Sequence, residues 1–200
     1  MPATDFDFLP GRWRVANRKL VDMLDPDCDR WREFETSWET RAMLGGLGNV
    51  DHIRAADGFE GFTLRLYDPS ADLWRIWWAS TARPGRLDPP VEGRFDANGD
   101  ARFEADDVID GVPIRVRFDW TEVTATSARW QQAFSFDCGA TWKLNWVMLL
   151  ARTEPRSPSR SGGSTRSSAS RPSGSWPGGP PTSSTPVNPP GPSPKPRRRR

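Results

Sequence analysis

Strict alternation of side-chain character is the feature that most constrains this fold, and it is clearest at residues 114–120. There every even position is apolar and every odd position is charged. Because successive side chains of a strand point to opposite faces, this pattern predicts a β-strand with one buried face. The same period recurs at residues 32–38, 62–66, 74–78, 130–136 and 142–146. In 62–66 the apolar residues are accordingly expected to face the core, with Thr63 and Arg65 outside.

Short turn signals separate these segments. Asn98-Gly99 suits a two-residue hairpin, because both central residues of a type I′ turn take positive φ. Further signals of this kind are Asp25-Pro26, Gly45-Gly46, Asp57-Gly58, Asp68-Pro69, Pro84-Gly85, Asp110-Gly111 and Asp137-Cys138-Gly139. About ten short strands and no long helix fit this spacing, which indicates an antiparallel sandwich or an up-and-down barrel.

Composition divides the chain near residue 154. Residues 155–200 contain 12 Pro, 12 Ser, 6 Gly and 9 Lys or Arg without one acidic residue, whereas residues 1–154 hold all 26 acidic residues. A segment rich in Pro, Ser and Gly buries too little apolar surface to offset the loss of chain entropy on folding. We therefore predict one globular domain over 1–154 and a disordered tail over 155–200.

The basic tail has three interpretations. It could bind nucleic-acid phosphates, remain solvated without a partner, or result from a change of reading frame near Glu154 in a GC-rich gene. Neither aromatic residues interleaved with the charges nor a basic patch in 1–154 supports the first interpretation. Nucleic acid is therefore not a predicted partner.

The sequence also excludes several classes of protein. No apolar run approaches the roughly 20 residues of a membrane span, and residues 1–14 lack the apolar stretch of a secretory signal. Cys28, Cys138 and the single histidine, His52, are too few for a disulfide framework or a structural zinc site. We expect a soluble, cytoplasmic protein, and no metal or cofactor is predicted.

Residues near both ends of the domain could seal a barrel. The first strand opens with Gly11-Arg12-Trp13 after the aromatic lead-in Phe6-Asp7-Phe8, and the last predicted strand ends at Arg152. Trp13 and Arg152 would meet where the first and last strands pair, with the guanidinium stacked on the indole face. This meeting point favours a barrel over a sandwich, because closure also removes the exposed edges.

This arrangement resembles the lipocalin-like proteins of the calycin superfamily, in which a Gly-x-Trp and a late arginine seal one end of the barrel. The likeness extends over residues 5–152 and is carried by NRKL at 17–20, LGGLGNV at 44–50, LRLYDP at 64–69 and WQQAFS at 130–135. It implies an all-β, antiparallel up-and-down barrel of about eight to ten strands, closed by Gly11, Trp13 and Arg152. It also implies an internal cavity for a small molecule.

The last predicted strand departs from simple alternation. Residues 146–151 are apolar on both faces. An exposed apolar face of this kind needs a cover, which could be the N-terminal lead-in or a second subunit. A homodimer is therefore one open interpretation of the sequence.

Two motifs resemble functional loops but fit structural turns better. Residues 135–142 match the Ser-x-Asp-x-Gly-x-x-Trp pattern of an Asp-box, but a propeller needs several copies and the chain has one. Asp96, Asn98 and Asp100 are spaced like the first ligands of a calcium loop, but Ala101 stands where that loop needs glycine. The first is predicted to be a structural hairpin and the second an acidic hairpin tip.

Two further features leave little room for catalysis. Residues 44–49 are glycine-rich, but a strand-like segment follows them and a phosphate cradle needs a helix N-terminus. His52 could act as a general base with a nearby carboxylate, or as an axial ligand of haem, or simply lie half-buried on a strand. An enzyme using His52 or a carboxylate in the cavity is therefore the alternative function.

Alternation also predicts the residues that line the cavity. If Trp13 points inward, so do Val15, Asn17 and Lys19. The same parity predicts an inner wall of Trp38, Trp78, Trp120 and Trp146, and polar groups that orient a ligand at Asn17, Thr36 and Gln132. Buried amides need hydrogen-bond partners, which a ligand or one another could supply. We predict binding of a small apolar or amphipathic molecule, with a protein-interaction module as the other alternative.

Overall fold

The computed structural model describes residues 4–153, which form a closed barrel of ten antiparallel strands. The strands are β1 (Gly11–Leu20), β2 (Trp31–Met43), β3 (Gly48–Ala55), β4 (Glu60–Asp68), β5 (Leu73–Ser80), β6 (Val91–Phe95), β7 (Ala101–Ile109), β8 (Val112–Thr121), β9 (Ser127–Ser135) and β10 (Lys143–Arg152). Strands adjacent in sequence pair with each other, and β1 pairs with β10 to close the ring. The predicted all-β barrel is thus confirmed. The predicted tail, 155–200, lies outside the described residues.

A short 3-10 helix, Leu44–Gly46, connects β2 to β3 within the glycine-rich segment. No helix in residues 4–153 has the length and apolar character needed to cross a membrane.

Strand β8 shows the alternation that the sequence predicts. Ile114, Val116 and Trp120 are buried inside the barrel. Between them Arg115 points outward, where its Nη2 lies 2.9 Å from a carboxylate oxygen of Glu104 on β7. Cross-strand charge pairs of this kind occupy the outer face while the apolar residues fill the interior.

Strand β4 corrects the expectation for its own alternation. Across β3 and β4, Arg65 is opposite Asn49 and Thr63 is opposite Asp51, and all four residues are buried in the barrel. Phe62 instead lies on the outer face and is 43% exposed. The physical reason is an ion pair, since a charge inside a barrel is tolerated only with a partner, and this register brings Arg65 to Asp51.

The aromatic lead-in fills one end of the barrel. Phe6 lies edge-on to both Trp74 and Phe95, with ring centroids 5.0 Å apart in each pair. The expectation that the lead-in covers the outer face of β10 is therefore wrong, and Leu149 on that face is 50% exposed. Inside the barrel end an aromatic ring loses all of its contact with water, which it would not lose on the outside of one strand.

The seam, the pairing of β1 with β10, begins at this filled end, where Trp13 lies opposite Arg152. The Arg152 guanidinium carbon is 4.1 Å from the centre of the Trp13 ring. Its Nη1 donates to the carbonyl of Pro10 at 2.8 Å, its Nε donates to the carbonyl of Ala125 at 2.8 Å, and its Nη2 donates to the carbonyl of Phe8. Arg152 therefore ties the lead-in and the loop before β9 to the seam.

Asp137 organises the hairpin between β9 and β10. Its carboxylate accepts hydrogen bonds from the Ser135 hydroxyl at 2.7 Å and from the Thr141 backbone N–H at 2.8 Å. These bonds and that of the Thr141 hydroxyl lower the pKa of Asp137 to about 2, with the hydroxyl of Thr141 contributing most. Trp142 closes the turn by donating to the carbonyl of Gly139 at 3.1 Å. The Asp-box pattern is a structural hairpin here, as predicted.

Gly11→Ala tests the importance of the seam. Gly11 has a φ of +122°, and a Cβ added there would lie 2.5 Å from Nη1 of Arg152. We expect urea unfolding to show a loss of about 3 kcal/mol, because positive φ costs about 1–2 kcal/mol and displaced hydrogen bonds add a similar amount.

Gly99→Ala is the matched control for this substitution. Gly99 has a φ of +85°, and an added Cβ would meet nothing within 4 Å. Its loss should therefore reflect backbone strain alone. Equal losses in the two variants would show that Arg152 needs no space at Gly11.

Candidate functional site

A cavity of about 480 Å³ opens at the end of the barrel opposite the lead-in. Its rim includes the connection after β1, the connection after β5 and the β7–β8 hairpin. In an antiparallel barrel these three connections share one end, and β1 begins at the other end with Gly11. The barrel is thus filled at one end and accessible at the other.

The wall of the cavity is mainly aromatic and aliphatic. Trp146 stands at a right angle to Trp130, with ring centroids 5.6 Å apart, and is edge-on to Trp78 at 6.1 Å. Other apolar lining residues are Ile76, Val91, Ala105, Val116, Phe118 and Phe134. Such a surface suits an apolar molecule or the apolar part of a larger one.

The structure distributes the predicted ligand-binding residues over three places. Trp78, Gln132 and Trp146 line the cavity. Trp38 and Trp120 line a deeper chamber of about 30 Å³, to which the first three also contribute. Asn17 and Thr36 line neither space. Their roles toward a ligand stay a prediction for all seven residues.

Asn17 has its hydrogen-bond partners within the protein. Its Nδ2 donates to the Thr36 hydroxyl at 3.0 Å and to the carbonyl of Val15 at 3.1 Å. Its Oδ1 accepts from Nε1 of Trp146 at 3.0 Å. A ligand is therefore not needed to satisfy this amide, which instead fixes the orientation of the Trp146 ring.

Gln132 also bonds to another side chain of the barrel. Its Nε2 donates to Oδ1 of Asn145 at 2.9 Å. Asn145 is fully buried at the register shift of β10, where the pairing with β9 moves between Leu144 and Trp146. The irregular strand thus supplies an acceptor that regular alternation would have turned away from the barrel.

Lys19 is a cavity residue that alternation places inside the barrel but that was not among the predicted site residues. Its Nζ lies 4.0 Å from the centre of the Trp146 ring. Burial, followed by the positive charges of Arg32 and Arg83, lowers its pKa to about 8. The alternation of β1 places Lys19 on the inner face and could have identified it. Because lysine is seldom buried in proteins, the sequence alone does not favour it as a cavity residue.

A buried ion pair lies deeper in the barrel, next to the small chamber. Nη1 of Arg65 is 2.5 Å from Oδ2 of Asp51 and 2.9 Å from Oδ1 of Asn49. The guanidinium also lies 5.7 Å from the Trp38 ring and 5.8 Å from the Trp120 ring. The sequence does not predict this pair, because the alternation in β4 predicts Arg65 on the outer face.

His52 lies on the outer face of the barrel, away from the cavity. Its Nε2 is 2.7 Å from Oε2 of Glu60, and both side chains are exposed. From this position the imidazole reaches neither a ligand in the cavity nor a haem held there. The catalytic and haem interpretations of His52 are therefore wrong for this cavity.

The acidic tip at residues 96–100 is a turn held by its own side chain. Oδ1 of Asp96 accepts from the backbone N–H of Asn98 at 2.8 Å and of Asp100 at 3.1 Å. Within residues 4–153 no group of three His, Cys, Asp or Glu side chains has the geometry of a metal site.

Comparison with known proteins supports the fold. No family model and no curated protein matches the sequence. The crystal structure of Rv2717c from M. tuberculosis matches with a TM-score of 0.53 and 13% identity, over 77% of this chain and 99% of that one. The S-type phycobiliprotein lyase CPES from Guillardia theta matches with a TM-score of 0.49 and 7% identity, over 76% and 92%. The likeness to Rv2717c fits the lipocalin-like barrel that the sequence implies, and it extends to the fold alone.

Lys19→Met should stabilise the barrel in a pH-dependent way. A lysine whose pKa is lowered from 10.5 to about 8 destabilises the fold fully below pH 8, and this cost disappears as the pH rises toward 10.5. We expect the variant to be about 2 kcal/mol more stable than the natural chain at neutral pH, with the difference shrinking at about pH 10.

Urea unfolding at both pH values measures this difference. Lys143→Met is the control, since Lys143 belongs to β10 but does not line the cavity. A gain from Lys19→Met that is the same at both pH values would mean that packing and not charge is responsible.

Proposed function

We propose that this protein binds one small apolar or amphipathic molecule in the cavity that Lys19 and Trp146 help to line. The observation that carries the proposal is the cavity itself, about 480 Å³ within the barrel and accessible from one end. This volume lies in the range of small-molecule sites, which are typically about 300–1,000 Å³. If the protein were instead a protein-interaction module, its barrel would be expected to be filled by its own side chains.

The wall of the cavity favours an elongated apolar group. Trp78 and Trp146 offer indole faces and edges, while Val116 and Phe118 continue the apolar surface. Because hydrogen bonds within the protein already orient Trp146, a ligand meets a wall that is formed in advance. Such a wall reduces the ordering cost of binding.

Binding is favoured over catalysis by where the titratable groups lie, because the carboxylates that line the cavity are on its rim, at Asp22, Asp88, Asp107 and Asp110. The imidazole of His52 lies outside, and the carboxylate of Asp51 is engaged by Arg65. The sequence leaves His52 or a carboxylate as the acid–base candidate, and neither His52 nor the buried Asp51 is directed at the apolar wall. Lys19 is the titratable group that lies against Trp146 in the cavity wall, and its positive charge suits the binding of a ligand.

A cavity-filling substitution tests the proposal. Ala105 lines the cavity, so Ala105→Phe should reduce its volume without removing a hydrogen bond. We expect the natural chain to bind the neutral probe N-phenyl-1-naphthylamine with a rise in probe fluorescence, and the variant to bind it at least about tenfold more weakly, because the overlap of the ring with the ligand costs more than about 1.4 kcal/mol.

Ala16→Phe is the matched control, because Ala16 lies exposed on the outside of β1. It adds the same ring without entering the barrel and should leave probe binding unchanged. Equal affinities in all three proteins would place the probe outside the cavity and contradict the proposal.

A further inference from the structure

The mouth of the cavity carries three cationic side chains. Lys19 ends the inward row of β1, Arg32 lies opposite it on β2, and Arg83 follows β5. Arg32 and Arg83 both act on the charge of Lys19 and help to lower its pKa. The three cations therefore repel one another beside an apolar cavity, which costs free energy unless an anion offsets it.

Their carboxylate partners within the protein are few. Arg83 has one, with its Nη2 2.5 Å from Oδ2 of Asp88. Among residues 4–153 no carboxylate lies within 4.0 Å of Lys19 or Arg32, whose charged groups lie over the rings of Trp146 and Phe34. Nη1 of Arg83 is buried and has no acceptor in the described part of the chain. Within residues 4–153, Lys19 and Arg32 are thus cations of the mouth without a carboxylate in direct contact.

Four acidic residues belong to the rim: Asp22, Asp88 and Asp107 contact other groups of the protein, and Asp110 is exposed to solvent. Asp88 also lies 3.6 Å from Nε of Arg86, and Asp107 lies 3.4 Å from Nη2 of the same arginine. Oδ1 of Asp22 accepts from two backbone N–H groups of the loop after β1. None of these carboxylates lies within 4.0 Å of Lys19, and together they repel a ligand head with two negative charges about twice as strongly as a head with one. The mouth therefore suits a single negative charge.

We propose that Lys19, Arg32 and Arg83 form an anion subsite, and that the barrel binds an amphipathic monocarboxylate whose apolar chain lies against Trp146 and Trp78. This inference rests on the proposed function and adds the chemical class of the ligand. The carboxylate would accept a hydrogen bond from the ammonium of Lys19, and the positive charges of Arg32 and Arg83 would add Coulombic attraction. Charge-assisted bonds of this kind gain strength beside an apolar wall.

A matched ligand series separates head-group recognition from binding of the chain. Calorimetric titration of the full chain at neutral pH would use dodecanoate, dodecan-1-ol and dodecyltrimethylammonium, which share a twelve-carbon chain and differ in charge. We expect dodecanoate to bind at least about tenfold more tightly than the alcohol and the ammonium compound to bind most weakly, since hydrogen bonds between charged groups are roughly twice as strong as those between neutral groups.

Variants then assign the selectivity to Lys19. Lys19→Met should weaken dodecanoate binding about ten- to a hundredfold and change dodecan-1-ol binding by much less, so that the preference for the carboxylate is lost. Lys19→Arg keeps the charge and should retain most of the preference for the carboxylate. Lys143→Met loses the same charge away from the cavity and serves as the control, both for net charge and for attraction of anions to the basic residues 155–200.

The outcomes distinguish the subsite from the cavity. Equal binding of the alcohol and the carboxylate would overturn the anion subsite and leave the proposed function standing. Loss of both ligands in Lys19→Met would show a packing role and would also overturn the subsite. Failure of all three ligands to bind, with N-phenyl-1-naphthylamine excluded as well, would contradict both proposals.

Discussion

The seam between β1 and β10 is the contact on which the rest of the barrel depends. Trp13 lies opposite Arg152 there, and the indole Nε1 donates to the carbonyl of Leu9 at 2.7 Å. That bond and those of Arg152 hold the lead-in inside the barrel end, where Phe6 meets the rings of several strands. A ten-stranded barrel is too wide to fill uniformly, so filling one end from the chain terminus concentrates the remaining space at the other.

The remaining space persists because its wall is fixed by polar contacts. Trp146 could rotate to fill the cavity, but its Nε1 is bonded to Asn17, which is bonded in turn to Thr36 on β2. Rotating the indole would leave a buried donor and a buried acceptor without partners, which costs about 1–3 kcal/mol for each group. Asn17, which the sequence suggests as a ligand contact, thus lies one step behind the surface and supports the aromatic wall, whereas Gln132 lines the cavity.

Alternation predicts most of this architecture because a barrel has an inside and an outside. It identifies the strands, the inward rows of β1 and β8, and the cavity residues Trp78, Gln132 and Trp146. It fails in β4, where Thr63 and Arg65 are inside, because period two gives two faces without saying which is buried. The answer depends on Asp51, a neighbour across the sheet, and one strand read alone does not contain that information. The position of the lead-in is missed for the same reason, since it depends on distant rings.

Arg65 and Lys19 are both inward-facing cations, but they differ in the partners that the fold provides, and this difference bears on function. Arg65 is fully enclosed, and the fold provides Asp51 and Asn49 at hydrogen-bond distance. Lys19 lies nearer the mouth, where the fold provides an indole face and two further cations. A barrel selected only for stability would carry an apolar residue at that position, since a buried charge without a counterion is destabilising. The proposed anion subsite would account for an unneutralised charge beside a preformed apolar wall, since local departures from the rules of stable folding concentrate at functional sites.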